Sequence, residues 1–200
     1  MKKVGILGGT FDPIHIGHLV LAQAAFEQLE LDFVRIIPAG IPPHKIGRKC
    51  ASKEQRLEMT NLAISRDPHF VLDTIEIDKE TPSYTCETLA LLHDLHPDED
   101  YYFIIGQDSL NTFHTWYKPD AIASLAHIVA ADRPGYDKSQ MESVLEENRK
   151  MFNGDFICIE CPDIQISSTD VRNRMASGSS IRYLVPEKVF DYIQEEGLYK

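Results

Sequence analysis

The sequence GGTFDPIHIGH, residues 8–18, decides the fold of this chain. It follows an apolar run at residues 4–7 that predicts a buried strand, and residues 19–29 then carry apolar side chains at helical spacing. Glycine lets a backbone approach a phosphate closely, because no Cβ stands in the way. A helix entered near Gly17 would turn its N–H groups and the positive end of its dipole toward that anion. The stretch therefore predicts a phosphate site between the first strand and the first helix.

His15 and His18 stand three positions apart, so they share one face if that helix begins early. Two imidazoles beside an anion site suit the stabilisation of charge on a phosphate in transfer better than general-base work. The plain alternative is a capped turn with surface histidines. A metal site would need a third ligand, and none stands at ligand spacing nearby. We therefore expect no metal held by protein ligands.

Short apolar runs alternate with helical patterns along the rest of the chain. The runs that predict strands are residues 4–7, 33–38, 71–77, 101–105, 127–131 and 156–159. Most are almost continuously hydrophobic, as in a parallel sheet covered on both faces. Ser52 opens a capping-box pattern, Pro82 marks a further helix, and Pro186 opens the last one. The order predicts a doubly wound, Rossmann-like α/β fold with ligands at the carboxyl ends of the strands.

The composition limits the classes of partner. The 200 residues hold 20 Lys and Arg against 31 Asp and Glu, a net charge of −11. With 43% hydrophobic and 26% charged residues, the chain is typical of a globular protein. Its acidity argues against nucleic acid and membrane surfaces, which bind positive protein surface. We expect one domain over residues 1–200, with a helical segment over about 167–200.

The hydropathy pattern and the small number of cysteines favour a cytoplasmic location. No stretch approaches the roughly 18 apolar residues of a membrane span, and the polar residues from Gly8 onward end the first apolar run too early for a signal peptide. Four cysteines are too few for a disulfide framework in a chain of this length. A homodimer is left open, since no exposed apolar helix demands one.

A second helix N-terminus with phosphate-binding chemistry is predicted at Ser167. Ser167 and Ser168 are good N-cap residues, Asp170 stands three positions after Ser167, and Arg172 lies one turn into the helix. A plain capped helix with a surface arginine would show the same pattern. Together with the first stretch, however, two anion sites fit a triphosphate lying across the carboxyl edge of the sheet.

Three further positions are candidates for binding. Lys45 belongs to the densest basic cluster, which Pro42 and Pro43 stiffen, and we favour it as a phosphate contact over a solvated surface lysine. Asp108, two residues after Gly106, could accept hydrogen bonds from ribose hydroxyls or cap a helix. Trp116 is the only tryptophan, and it could belong to the core or stack on a flat ring.

These motifs together resemble those of a known family. The stretch at 8–18 is similar to the (H/T)xGH signature of the nucleotidylyltransferase superfamily, in the form typical of nicotinate-nucleotide adenylyltransferases. The other matching segments are PPHK at 42–45, PSYT at 82–85, GQD at 106–108, Trp116, RPG at 133–135 and ISSTDVR at 166–172. One departure is Val171, where isoleucine is usual, a buried aliphatic exchange that should leave Arg172 in place.

The resemblance implies an adenylyltransferase of NAD biosynthesis that joins ATP and nicotinate mononucleotide into nicotinate adenine dinucleotide and pyrophosphate. The acceptor's 5′-phosphate would attack the α-phosphate of ATP directly, in line with the departing pyrophosphate. Mg²⁺ would bridge phosphate oxygens, held mostly by ATP and water.

It also implies roles for individual residues. The catalytic residues would be His15, His18, Lys45 and Arg172. ATP would be bound by Gly8, Gly9, Thr10, Phe11, Gly106, Asp108, Arg133, Ser167, Ser168 and Arg172. Nicotinate mononucleotide would be bound by Lys45, Tyr84, Thr85, Trp116 and Tyr117.

Three alternatives share part of this pattern. Adenylyl or cytidylyl transferases acting on pantetheine, choline or glycerol phosphates have the first motif but not the set at 116 and 166–172. The letters HIGH at 15–18 also suggest a class I aminoacyl-tRNA synthetase, which would need a far longer chain and a basic face for tRNA. A Rossmann redox module would need the glycine spacing GxGxxG, whereas Gly5, Gly8 and Gly9 are spaced differently.

Overall fold

A computed structural model describes residues 1–41, 51–132 and 138–200. The strands are β1 (Lys2–Gly9), β2 (Phe33–Pro38), β3 (Phe70–Leu72), β4 (Glu99–Gly106), β5 (His127–Asp132) and β6 (Phe156–Glu160). The helices are α1 (Ile16–Gln28), α2 (Lys53–Ile64), α3 (Thr85–Leu95), α4 (Gln107–Asn111), α5 (Pro119–Leu125), α6 (Lys138–Phe152), α7 (Ser168–Ala176) and α8 (Glu187–Glu195). A short 3-10 helix, Phe113–Thr115, lies between α4 and α5.

The strands form one parallel sheet in the order β3-β2-β1-β4-β5-β6. In the register of β1 with β4, Val4 lies opposite Tyr101, and in that of β4 with β5, Tyr102 lies opposite His127. Chain order reverses between β1 and β4, as in a doubly wound sheet. The predicted Rossmann-like α/β class is confirmed.

The chain divides into two compact units. The first unit comprises residues 1–7, 21–35 and 84–163, and the second comprises residues 8–20, 36–83 and 164–200. In the first unit the central strands are buried, and a Cβ added at Gly5 would lie 2.9 Å from Leu31 Cδ1 and 3.0 Å from Val34 Cγ2. That contact shows how closely β1 packs on its neighbours. The single domain over 1–200 stays a prediction.

The predicted strand at 71–77 is wrong beyond Leu72. The carboxylate of Asp73 accepts a hydrogen bond from the N–H of Ile75 at 3.0 Å, and the N–H of Ile77 bonds to the carbonyl of Thr74 at 2.8 Å. An Asp side chain that bonds two residues ahead stabilises a turn in place of a strand. The aliphatic run therefore folds as a turn after a short strand.

The segment 167–200 is helical in two pieces and not throughout. After α7, the N–H of Ser179 bonds to the carbonyl of Arg174 and the N–H of Gly178 to that of Met175. Gly178 has φ of 74°, so these bonds close a glycine C-cap that ends the helix. Pro186 then occupies the N-cap of α8, close to where the sequence places it.

The remaining helix starts follow local chemistry. The predicted capping box of α2 is present: Ser52 Oγ accepts from the N–H of Gln55, and the Gln55 side chain accepts from the N–H of Ser52. The helix after Pro82 begins at Thr85, because Pro82 itself forms a bridge with Ile41.

Candidate functional site

The turn between β1 and α1 is held through its carbonyl groups, within the second unit. The carbonyl of Thr10 accepts a hydrogen bond from Arg56 at 2.8 Å, and that of Asp12 accepts one from Arg172 at 2.7 Å. The carbonyl of Pro13 accepts one from the hydroxyl of Ser168 at 2.9 Å. Three side chains from two other helices thus fix the backbone of this turn. The backbone that these side chains hold belongs to residues 8–18, the stretch that the sequence predicts to bind phosphate.

Arg56 is a functional candidate that sequence reasoning missed. Its guanidinium is almost fully buried and also donates to the carbonyls of Ala39, at 2.5 Å, and Gly40, at 2.8 Å. It therefore ties the end of β2 to the turn after β1. In the sequence it resembles an exposed helical arginine, and only its place one turn after the capping box at Ser52 sets it apart.

Gly40, whose carbonyl accepts from Arg56, also lies close against the backbone of Glu76. A Cβ at this position would lie 2.1 Å from the backbone oxygen of Glu76, well inside contact distance. A side chain here would push the two backbone segments apart, so glycine is required for packing.

His15 and His18 form a stacked pair at the start of α1. Their ring centroids are 3.6 Å apart, with an angle of 26° between the planes. The N–H of His15 donates to Nδ1 of His18 at 3.2 Å, so Nδ1 of His18 carries no proton and the neutral ring is protonated at Nε2. Phe11, buried with φ of 49°, meets the His18 ring edge-on at 5.0 Å. Because Nδ1 of His18 accepts from the backbone of His15, the hydrogen-bond donor of the His18 ring is its Nε2–H.

His15 is 5% exposed, and burial lowers the pKa of His15 from 6.5 to about 4, an effect that the nearby carboxylate of Asp170 partly offsets. The ring is therefore neutral at pH 7. Its Nδ1 has no hydrogen-bond partner among the described residues. Of the two imidazoles that the sequence predicts to stabilise charge, this one is uncharged in the protein alone at pH 7.

The helix start predicted at Ser167 is confirmed. Ser167 Oγ accepts from the N–H of Asp170 at 3.1 Å and bonds to its carboxylate at 2.5 Å. Arg172, half-buried, also donates to Thr169 Oγ1 at 3.2 Å and lies 3.7 Å from Oδ2 of Asp12. The structure thus brings the second predicted phosphate-binding segment against the turn.

The other candidates described by the structure lie in the first unit. Asp108 is exposed in the first turn of α4, whose N-cap is Gly106. Trp116 is half-buried and packs on Phe113, with 5.5 Å between the ring centroids. The Trp116 ring therefore makes a core contact and also keeps part of its surface accessible. The interpretation of Asp108 as a helix N-cap is wrong.

Tyr117 and Tyr84 form an aromatic pair beside Trp116 in the chain. Their ring centroids are 4.6 Å apart, and the Lys118 ammonium lies 5.2 Å from the centre of the Tyr117 ring. Tyr117 is 47% exposed, and Thr85, half-buried, opens α3. An exposed aromatic surface of this kind can stack on a flat ring.

Two predicted site residues, Lys45 and Arg133, lie outside the described residues. Within residues 1–41, 51–132 and 138–200, no three His, Cys, Asp or Glu side chains are grouped as metal ligands. In the same part of the chain, no helix has the length and apolar character to cross a membrane.

Comparison with known proteins identifies the class. The model of the cytidylyltransferase-like family matches residues 6–174, a span that contains the turn and the start of α7. Among solved structures, the nicotinic acid mononucleotide adenylyltransferase of Plasmodium falciparum, complexed with NaAD, superimposes with a TM-score of 0.79. It shares 22% identity with this chain and covers 100% of it and 98% of its own length, a likeness of fold.

Curated relatives narrow the class. A probable nicotinate-nucleotide adenylyltransferase of Desulfitobacterium hafniense strain Y51 is 41% identical over 199 residues, covering 100% of this chain and 96% of its own. Another, of Thermoanaerobacter sp. strain X514, is 42% identical over 199 residues, covering 99% and 94%. The chain belongs to the family of nicotinate-nucleotide adenylyltransferases.

The buried contacts of Arg56 lead to a prediction about stability. We expect Arg56→Met to lower the free energy of unfolding by about 3 kcal/mol, because the substitution leaves buried carbonyl groups without a donor. Arg66→Met, on an exposed arginine beyond the end of the same helix, should change it by less than about 0.5 kcal/mol. Chemical denaturation measures both variants. Equal stability of the two would show that the Arg56 contacts contribute nothing.

The neutral His15 ring leads to a prediction about pH. Because burial places the pKa of the folded state below that of the unfolded state, the unfolded state binds more protons below pH 6.5. Stability should therefore fall as the pH drops from 6.5 toward 4, by about 2 kcal/mol between pH 7.5 and 5.0 from this group alone.

Denaturation of wild type, His15→Gln and His114→Gln at both pH values tests this expectation. His15→Gln should lose about 2 kcal/mol less than wild type between the two conditions. His114, an exposed histidine, controls for the loss of a histidine as such. An identical pH dependence in wild type and His15→Gln would contradict the prediction.

Proposed function

We propose that this protein transfers the adenylyl group of ATP to nicotinate mononucleotide by direct in-line attack of the acceptor's phosphate on the α-phosphate. Membership of the family makes it a nucleotidyltransferase of NAD biosynthesis that forms nicotinate adenine dinucleotide. The observation that carries the mechanism is the contact of Ser168 and Arg172 with the carbonyls of the turn at 8–18. It places a second helix N-terminus beside the first in one compact unit.

The acceptor needs no base from the protein. A phosphate monoester has a second pKa near 6 and is largely dianionic at pH 7. A pKa of about 4 also makes His15 a poor proton acceptor at that pH. The reaction then rests on positioning and on stabilisation of the charge that develops on the transferred phosphate.

His18 supplies a donor for that charge. Its Nδ1 is occupied by the backbone of His15, so the Nε2–H is the group that can bond to a phosphate oxygen. Backbone groups of Gly8, Gly9, Thr10 and Phe11 surround the same phosphates. The neutral His15 supports the stack and adds no positive charge.

Arg172 and the N-terminus of α7 at Ser167 and Ser168 would bind the departing pyrophosphate, and Lys45 would contact the phosphate that is transferred. Arg172 keeps guanidinium surface exposed, since its side chain is 26% accessible. Mg²⁺, bound through the phosphates of ATP, would neutralise part of their charge. Catalysis by this chain then consists of binding and orienting two anions.

The remaining contacts divide between the two substrates. Gly106, Asp108 and Arg133 would bind ATP, with Asp108 accepting hydrogen bonds from its ribose hydroxyls. Tyr84, Thr85, Trp116 and Tyr117 would bind nicotinate mononucleotide, and the exposed ring of Tyr117, paired with Tyr84, supports stacking on the pyridine ring. We place the reaction in the cytoplasm, and a homodimer stays open.

Release of pyrophosphate tests the function. ATP with nicotinate mononucleotide should give rapid release, and ATP alone should give none. Nicotinamide mononucleotide serves as the matched acceptor that differs only by an amide in place of the acid. Release with neither acceptor, or release only with pantetheine or choline phosphates, would contradict the proposal.

The role of His18 gives a mutational prediction. We expect His18→Ala to lower kcat by about 10²–10³, because one preorganised donor to the transition state is lost, with little change in the affinity for ATP. His69→Ala, on an exposed histidine in the same unit, should leave kcat unchanged. Steady-state kinetics and equilibrium binding of ATP separate the two effects. Near-normal turnover of His18→Ala would contradict the mechanism.

A further inference from the structure

The carboxylate of Asp12, inside the turn at 8–18, is 1% exposed and joins distant segments of the second unit. Its Oδ1 accepts a hydrogen bond from the hydroxyl of Tyr199 at 2.7 Å and another from the N–H of Ala51 at 3.1 Å. Tyr199 lies 187 positions further along the chain, beyond α8. Nothing in the sequence pattern connects it with the motif.

The other oxygen of Asp12 faces Arg172. Oδ2 is buried, has no hydrogen-bond partner among the described residues, and lies 3.7 Å from the Arg172 guanidinium. A full charge-assisted hydrogen bond between such groups would be about 2.7–2.9 Å long. Arg172 bonds instead to the backbone carbonyl of Asp12, at 2.7 Å. The carboxylate and the guanidinium are therefore neighbours that stop short of a close ion pair.

The two donors on Oδ1 explain this separation. A buried carboxylate turns toward the donors that satisfy it, and here the hydroxyl of Tyr199 and the N–H of Ala51 hold Oδ1. Without the hydroxyl, Oδ1 keeps only the hydrogen bond from Ala51. The carboxylate would then gain a hydrogen-bonded ion pair by rotating toward Arg172. A closer pair would neutralise the guanidinium and draw it away from a phosphate.

We propose that Tyr199 is a positioning residue for the adenylyl transfer: its hydroxyl holds the Asp12 carboxylate so that Arg172 keeps its charge for the substrate's phosphates. The inference rests on the proposed function, in which Arg172 binds the departing pyrophosphate. Tyr199 touches neither substrate in this scheme and acts through Asp12. The hydroxyl shares Oδ1 of Asp12 with the N–H of Ala51.

Tyr199→Phe tests the proposal because it removes one oxygen and keeps the ring. We expect kcat/KM for ATP to fall about tenfold, the size of a hydrogen bond to a charged group, while KM for nicotinate mononucleotide stays within about twofold. In an Arg172→Ala background, the same substitution should cost less than about twofold, since no guanidinium remains to be misplaced. Tyr183→Phe, on an 84% exposed tyrosine of the same unit, is the matched control.

The outcomes are distinct. Equal losses from Tyr199→Phe in both backgrounds, no loss in the first, or failure of the variant to fold would each overturn the proposal, because the hydroxyl would then act on the fold or not at all. Thermal unfolding of every variant accompanies the kinetics. If wild type itself releases no pyrophosphate from ATP and nicotinate mononucleotide, the proposed function fails. Active wild type with additive losses rejects only the role of Tyr199.

Discussion

The structure of the second unit depends on side-chain hydrogen bonds to the carbonyl groups of one turn. Arg56, Arg172 and Ser168 each satisfy a carbonyl between Thr10 and Pro13 that would otherwise need water or a backbone partner. A turn held only by its own residues would be free to change conformation when an anion binds. Because the bonds come from two separate helices, the turn is oriented before any substrate arrives, and this preorganisation is what charge stabilisation requires.

This arrangement is also compatible with the proposed binding of two anions by an acidic protein. The net charge is −11, yet two guanidinium groups lie against the turn, bonded to the carbonyls of Thr10 and Asp12. Each guanidinium is hydrogen-bonded directly to the backbone of the turn that is proposed to bind phosphate. The electrostatic potential at a site depends mainly on the charges next to it, because solvent and salt screen the more distant charges of the protein surface. The acidic excess and the proposed substrates are therefore compatible.

Features that depend on neighbours in the chain could be predicted from the sequence. The caps at Ser52 and Ser167 are hydrogen bonds to residues three positions away, so the residue types at this spacing are enough to predict them. The contacts of Arg56 with Thr10, across 46 positions, and of Tyr199 with Asp12, across 187, leave no such pattern. The neutral state of His15 likewise follows from burial, which only the folded chain defines. The error at 71–77 has a local cause, because aliphatic periodicity outweighed the turn chemistry of Asp73.

The division into two units has a consequence for how substrate preference could diverge. The residues proposed for phosphate chemistry, from Gly8 to His18 and from Ser167 to Arg172, belong to the second unit, while Tyr84, Trp116 and Tyr117 belong to the first. Substitutions among these aromatic residues would leave every carbonyl bond of the turn intact. Acceptor choice and transfer chemistry can then mutate independently, so a change of acceptor would not have to pass through an inactive intermediate.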